Sequence, residues 1–193
     1  MSLPPTANRA RSGAVGLTLL LAAAVVAQNA PDGPALLRPA DKAVLAPGPL
    51  TLIGRGAGPL LLDGKGVALK VQNADIVTAT VTPAAGVHEL SWGGRNLRFF
   101  VGPGAPADFR PYRLHPPGGA ACETCHVVRE GAWEFRGAGS SCFGCHDQKK
   151  FPVGHTHNAE VLSECGLCHD PHGSTEKFHL KMAKATACKQ CHG

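Results

Sequence analysis

Four times between residues 122 and 192 the chain reads Cys-X-X-Cys-His: CETCH (Cys122 to His126), CFGCH (Cys142 to His146), CGLCH (Cys165 to His169) and CKQCH (Cys188 to His192). These motifs use all eight cysteines, and the preceding 121 residues contain none. An even cysteine count in an exported chain ordinarily means a disulfide framework, but disulfides give no reason for a histidine after every second cysteine. A zinc reading would pair two Cys-X-X-Cys units per metal, giving two sites, and it too leaves the four histidines without a task.

Cys-X-X-Cys-His is the attachment signature of c-type haem. Two thiols meet the two vinyl groups on one side of a porphyrin as thioethers, and the adjacent histidine reaches the iron. The expectation is four haems c, covalently held by Cys122, Cys125, Cys142, Cys145, Cys165, Cys168, Cys188 and Cys191, with His126, His146, His169 and His192 as proximal ligands. A segment this short must use the macrocycles as much of its core, so the haems should lie close together. The polypeptide then sets their spacing and tunes each iron through ligands, hydrogen bonds and burial. Electron transfer, not catalysis, is the function this predicts.

The sixth ligand separates a carrier from a catalyst, because a second protein ligand closes the iron to substrates. Beyond the motifs the chain has His88, His115, His155, His157, His172 and His179. His88 lies in an apparent strand, VHELSW, and reads as an ordinary strand residue. His115, seven residues before Cys122, and His157, eight before Cys165, occupy matched positions. His155 competes with His157, and His172 and His179 complete the candidate set. Met182, the one methionine besides Met1, reads as core.

Elsewhere the pattern changes. The start, with Arg9 and Arg11 before an apolar run from Ala14 to Val26, reads as a secretory signal peptide over residues 1–27; the run is shorter than the roughly 20 residues that span a bilayer, so no stable membrane span is expected after cleavage. Residues 31–104 carry short apolar runs (LTLIG, PLLLDGKGVALKV, DIVTATV, GVHELSWGGRNLRFFVG) broken by Asp63-Gly64 and Gly93-Gly94 turns. They predict a small antiparallel β-sandwich of immunoglobulin-like type. Its acidic residues Asp41, Asp63, Asp75 and Glu89 are scattered and suggest a spacer or docking module. Residues 105–120 form a Pro/Gly-rich linker, and 121–193 a mostly irregular, short-helix haem domain. There Asn158 could cap one helical turn, and Ser174 or Thr175 another from Glu176 to Cys188, with Phe178, Met182 and Ala185 on one face.

The net charge of +5 falls to +3 without Arg9 and Arg11, and four haems with their propionates bring it to roughly −1. No basic stripe with interleaved aromatics points to nucleic acid.

The run CGLCHDPHGSTEKFHLKMAKATACKQCH resembles the doubled Cys-X-X-Cys-His family of multihaem cytochromes c, in which Asp-Pro-His-Gly and a leucine-bearing helix separate two motifs. The resemblance implies bis-histidine haems in a periplasmic or extracellular electron-transfer protein, with His172 as an axial ligand. The pair from Cys122 to His146 departs from it: Val-Val-Arg follows His126 where Asp-Pro-His is the pattern, which makes His155 the natural substitute ligand. Three residues are too few for His172 to round the disc that His169 binds, so it should ligate a neighbouring haem. Redox proteins as donor and acceptor are the partners this reading implies. The alternatives are a subunit of a polymeric cytochrome filament and an oxyanion reductase with an open iron.

Overall fold

The computed structural model describes residues 34–73, 75–147 and 164–192. Residues 1–27, expected to be a signal peptide, His155, His157 and the expected Asn158 cap lie outside them. The molecule is mostly β-sheet with a few short helices, a β-rich part followed by an irregular one. No helix among the described residues is long and apolar enough to cross a membrane.

The β-rich part holds ten strands: β1 (Ala35–Arg38), β2 (Ala43–Leu45), β3 (Leu50–Arg55), β4 (Leu60–Leu62), β5 (Lys65–Gly66), β6 (Lys70–Val71), β7 (Ile76–Val81), β8 (Gly86–Trp92), β9 (Arg95–Val101) and β10 (Arg110–Pro111). One sheet runs β1-β3-β7-β6 and the other β10-β2-β9-β8-β4-β5. Alternation is clearest in β3, where Leu50, Leu52 and Gly54 point inward, as period-two geometry requires. Leu50, Leu52, Val77 and Ala79 from the first sheet join Ala43, Leu60, Leu90, Trp92, Phe99 and Val101 from the second in one buried cluster. Gly54 is needed for this closeness: a Cβ there would lie 1.5 Å from Trp92 Cζ3.

The hairpin turns fall where the sequence places them. Asp63-Gly64 joins β4 to β5 and Gly93-Gly94 joins β8 to β9, with positive φ at all four residues, as type I′ turns demand. The purely antiparallel expectation needs correction, because β2 runs parallel to β9 and β10 parallel to β2. Those pairings join strands far apart in the chain, and hairpin signals do not reach them. The expected linker also changes character, since Arg110–Pro111 within it adds a strand to the sheet edge.

His88 and Asp63 explain each other. The His88 Nδ1–H donates to Asp63 Oδ2 at 2.7 Å and the Nε2–H to the Ala84 carbonyl at 2.8 Å, which requires the doubly protonated ring. Burial pulls the His88 pKa down, but the Asp63 and Ala84 hydrogen bonds and the Asp63 charge outweigh it and raise the value. His88 is therefore structural, as its strand position suggests.

The irregular part begins with a hairpin, β11 (His126–Arg129) and β12 (Ala132–Phe135), turning at Glu130 and Gly131, both at positive φ. Among the described residues two α-helices follow, α1 (Ala138–Ser141) and α2 (Lys184–Lys189). The single helix expected from Glu176 to Cys188 is replaced by a 3-10 turn at Lys177–His179 and then α2. Phe178 and His179 take positive φ, which breaks the helix, and Phe178 is 80% exposed instead of sharing a packed face. The Ser174 cap holds locally: its Oγ accepts from Glu176 N at 2.9 Å.

Candidate haem site

All four Cys-X-X-Cys segments close the same way. The second cysteine's N–H donates to the first cysteine's carbonyl at 3.2 Å (Cys125 to Cys122), 3.1 Å (Cys145 to Cys142), 3.2 Å (Cys168 to Cys165) and 3.4 Å (Cys191 to Cys188). A tight turn brings two thiols to one side of the backbone, as two thioethers to one ring edge need. In the last three motifs the histidine N–H continues the turn to the first cysteine's carbonyl, at 2.8 Å for His146, 2.9 Å for His169 and 3.0 Å for His192. The first motif differs, because His126 opens β11 opposite Phe135. The signal for that was the run VVREGAWEF, a hairpin pattern with a Glu-Gly turn.

None of the eight cysteines is in a disulfide. Cys142 is hydrogen-bonded to Cys165, and burial first, then the Cys165 and Cys125 charges and that bond, push the Cys142 thiol up to about 11. Cysteines of the first three motifs thus lie near one another.

The histidines associate across the chain. His115 Nε2 and His146 Nε2 are 3.4 Å apart, with ring centroids 5.6 Å apart and planes 17° from parallel. The 2.2 Å difference between those distances is close to the two centroid-to-nitrogen radii of imidazole, so the rings point end-on, nitrogen to nitrogen. His115 also meets His179 edge-on at 5.2 Å. His126 faces His172 with centroids 6.1 Å apart and planes 15° from parallel, and its ring also makes edge contacts with Trp133 and Phe135.

Sequence position did not give these partners. His115 precedes the first motif but meets the histidine of the second. His172, in the third motif's loop, lies at the first motif's His126, within the motif pair for which His155 was the substitute ligand.

Several features suit imidazole as an iron ligand. The His169 Nδ1–H donates to the Phe178 carbonyl at 2.6 Å, and the His172 Nδ1–H to Asp170 Oδ1 at 3.2 Å. Each bond leaves the Nε2 lone pair for a metal and fixes the ring. Burial, then the His146 and His169 charges, hold His115 below its ordinary range. Burial and then His172 do the same for His126, against a weaker pull from the Glu134 carbonyl. Burial, then His115, lower His179. Neutral imidazole is the ligating form. Trp133 Nε1 and His179 Nδ1 are buried without a hydrogen-bond partner, polar atoms left for a group that carries carboxylates. The thiol pairs, paired imidazoles and orphaned polar atoms fit haem c.

The family model for the doubled CXXCH motif matches residues 157–193, which span the third and fourth motifs. No curated protein and no solved structure was found to match the chain. The motif pair at Cys165 to His169 and Cys188 to His192 thus carries the doubled CXXCH motif, and this match supports a multihaem cytochrome c family for that segment.

Proposed function

We propose that this protein is an exported tetrahaem c-type cytochrome that relays electrons between periplasmic or cell-surface redox proteins, and not an enzyme. The observation that carries the reading is that all eight cysteines lie in four motifs of one turn geometry, beside paired histidines. Bound haem would supply a one-electron iron couple at each motif. The chain's own part is to hold the sulfurs, orient the imidazoles and keep water from the ring faces.

Facing histidines support bis-histidine ligation, which closes an iron to small substrates and favours a carrier over an oxyanion reductase. His126 with His172 and His146 with His115 are the pairs this reading assigns to the first two motifs, with His155, His157 and His179 as candidates for the remaining irons. An immunoglobulin-like sandwich for the β-rich part and haem-on-haem packing for the rest complete the picture; the leader over residues 1–27 supports export. A pyridine haemochrome assay on purified holoprotein tests it. About four haems per chain are expected, and fewer overturn the tetrahaem assignment.

A further inference from the structure

The chain leaves the β-sheet through a short segment that grips the loop carrying His172. β10 pairs with β2, and the pairing extends one residue as the Tyr112 N–H donates to the Val44 carbonyl at 3.0 Å. The Tyr112 ring packs against the buried cluster of the two sheets. Its hydroxyl donates to the carbonyl of His172 at 3.1 Å. The next residue continues the grip: Arg113 and Ser174 exchange both backbone hydrogen bonds, at 2.9 and 3.0 Å, and Ser174 is buried. Arg110 adds an ion pair to Glu176.

Between them Gly173 sits at φ +129°, and a Cβ there would lie 2.3 Å from the Tyr112 hydroxyl oxygen and 2.9 Å from the Arg113 carbonyl oxygen. The glycine lets the loop lie directly on the tyrosine. His172, fixed at its backbone by Tyr112, is fixed at its ring by Asp170, whose Oδ1 accepts from both His172 N and Nδ1, at 2.9 and 3.2 Å. Three residues past Tyr112 the same segment delivers His115 to His146.

From these contacts we infer that Tyr112 is a positioning residue for haem ligation: the β-rich part seats the Asp170–Gly173 loop so that His172 faces the first motif's His126. This gives that part a task other than spacing. The inference rests on the tetrahaem reading, and the experiment separates the two.

Full-length holoprotein carrying Tyr112→Phe, Tyr112→Ala or Gly173→Ala would be compared with wild type by haem count, low-temperature electron paramagnetic resonance and potentiometric titration. Tyr112→Ala is expected to keep the wild-type haem count while one low-spin signal becomes high-spin and returns on adding imidazole. Gly173→Ala should give the same change, and Tyr112→Phe, which keeps the ring and loses the hydrogen bond, should shift one midpoint potential with all irons low-spin. Wild-type haem count with unchanged spin states and potentials in both Tyr112→Ala and Gly173→Ala overturns the positioning role and leaves the tetrahaem reading standing. A wild-type count below about four overturns the tetrahaem reading itself.

Discussion

Two regions of one chain are ordered by different means. Among the described residues, twelve buried apolar side chains lie from Ala43 to Phe109, and only Ala138 and Ala187 lie beyond residue 120. The first region removes Trp92, Phe99 and four leucines from water, and that burial drives its folding. The second instead gathers histidines, cysteines and orphaned polar atoms in short turns. A segment with so little apolar burial needs covalent or metal cross-links to offset the entropy of ordering its backbone. The contrast shows why the sheet edge supplies the grip on the His172 loop: it is the rigid body available.

The largest expected effect breaks the comparison at its root. With all eight cysteines changed to alanine, the segment after residue 120 should be digested rapidly in limited proteolysis while a fragment ending near Arg110 persists. Equal resistance of both parts would show that the haem segment orders without its cofactors. Next, Trp92→Ala should cost the β-rich part about 3–5 kcal/mol, read as a lower urea midpoint of its unfolding. Haem content should be unchanged by that substitution at temperatures where the sheets stay folded.

A third change acts within the site alone. His172→Ala should convert one low-spin iron to high-spin in low-temperature resonance spectra with the haem count preserved. An unaltered set of low-spin signals would remove His172 from the ligands.

The smallest effect belongs to the His88–Asp63 pair. The raised His88 pKa means its contribution is complete below about pH 6.5 and is lost as pH rises through the folded value. Asp63 has desolvation opposing it, but the Glu89 N–H and His88 lower its pKa, so its contribution is present above about pH 4 and lost as pH falls through the folded value. The pair therefore stabilises most between about pH 4 and 6.5. Asp63→Asn should flatten that window, a change of about 1 kcal/mol or less, measurable by urea unfolding at pH 5.5 against pH 8.

Much of this was legible beforehand for local reasons. Asp63-Gly64 and Gly93-Gly94 fix hairpins because their turn type needs positive φ, and β3, β7, β8 and β9 carry their own apolar runs. The β11–β12 hairpin and the break at Phe178 were missed. The first shows the same kind of local signal, in Glu130-Gly131; the second depends on His169 and Ser174 drawing the chain back, through Phe178 O and Leu180 O.

By itself the sequence determined the chemistry: Cys-X-X-Cys-His is a contiguous unit whose turn closes with its own backbone, so its role can be read within five residues. Only the tertiary structure decided which histidine faces which. His115 meeting His146, and His172 meeting His126 under the hold of Tyr112, join residues 31, 46 and 60 positions apart. Contacts at that range are set by how the sheet edge and the motif turns pack, and no local propensity encodes them.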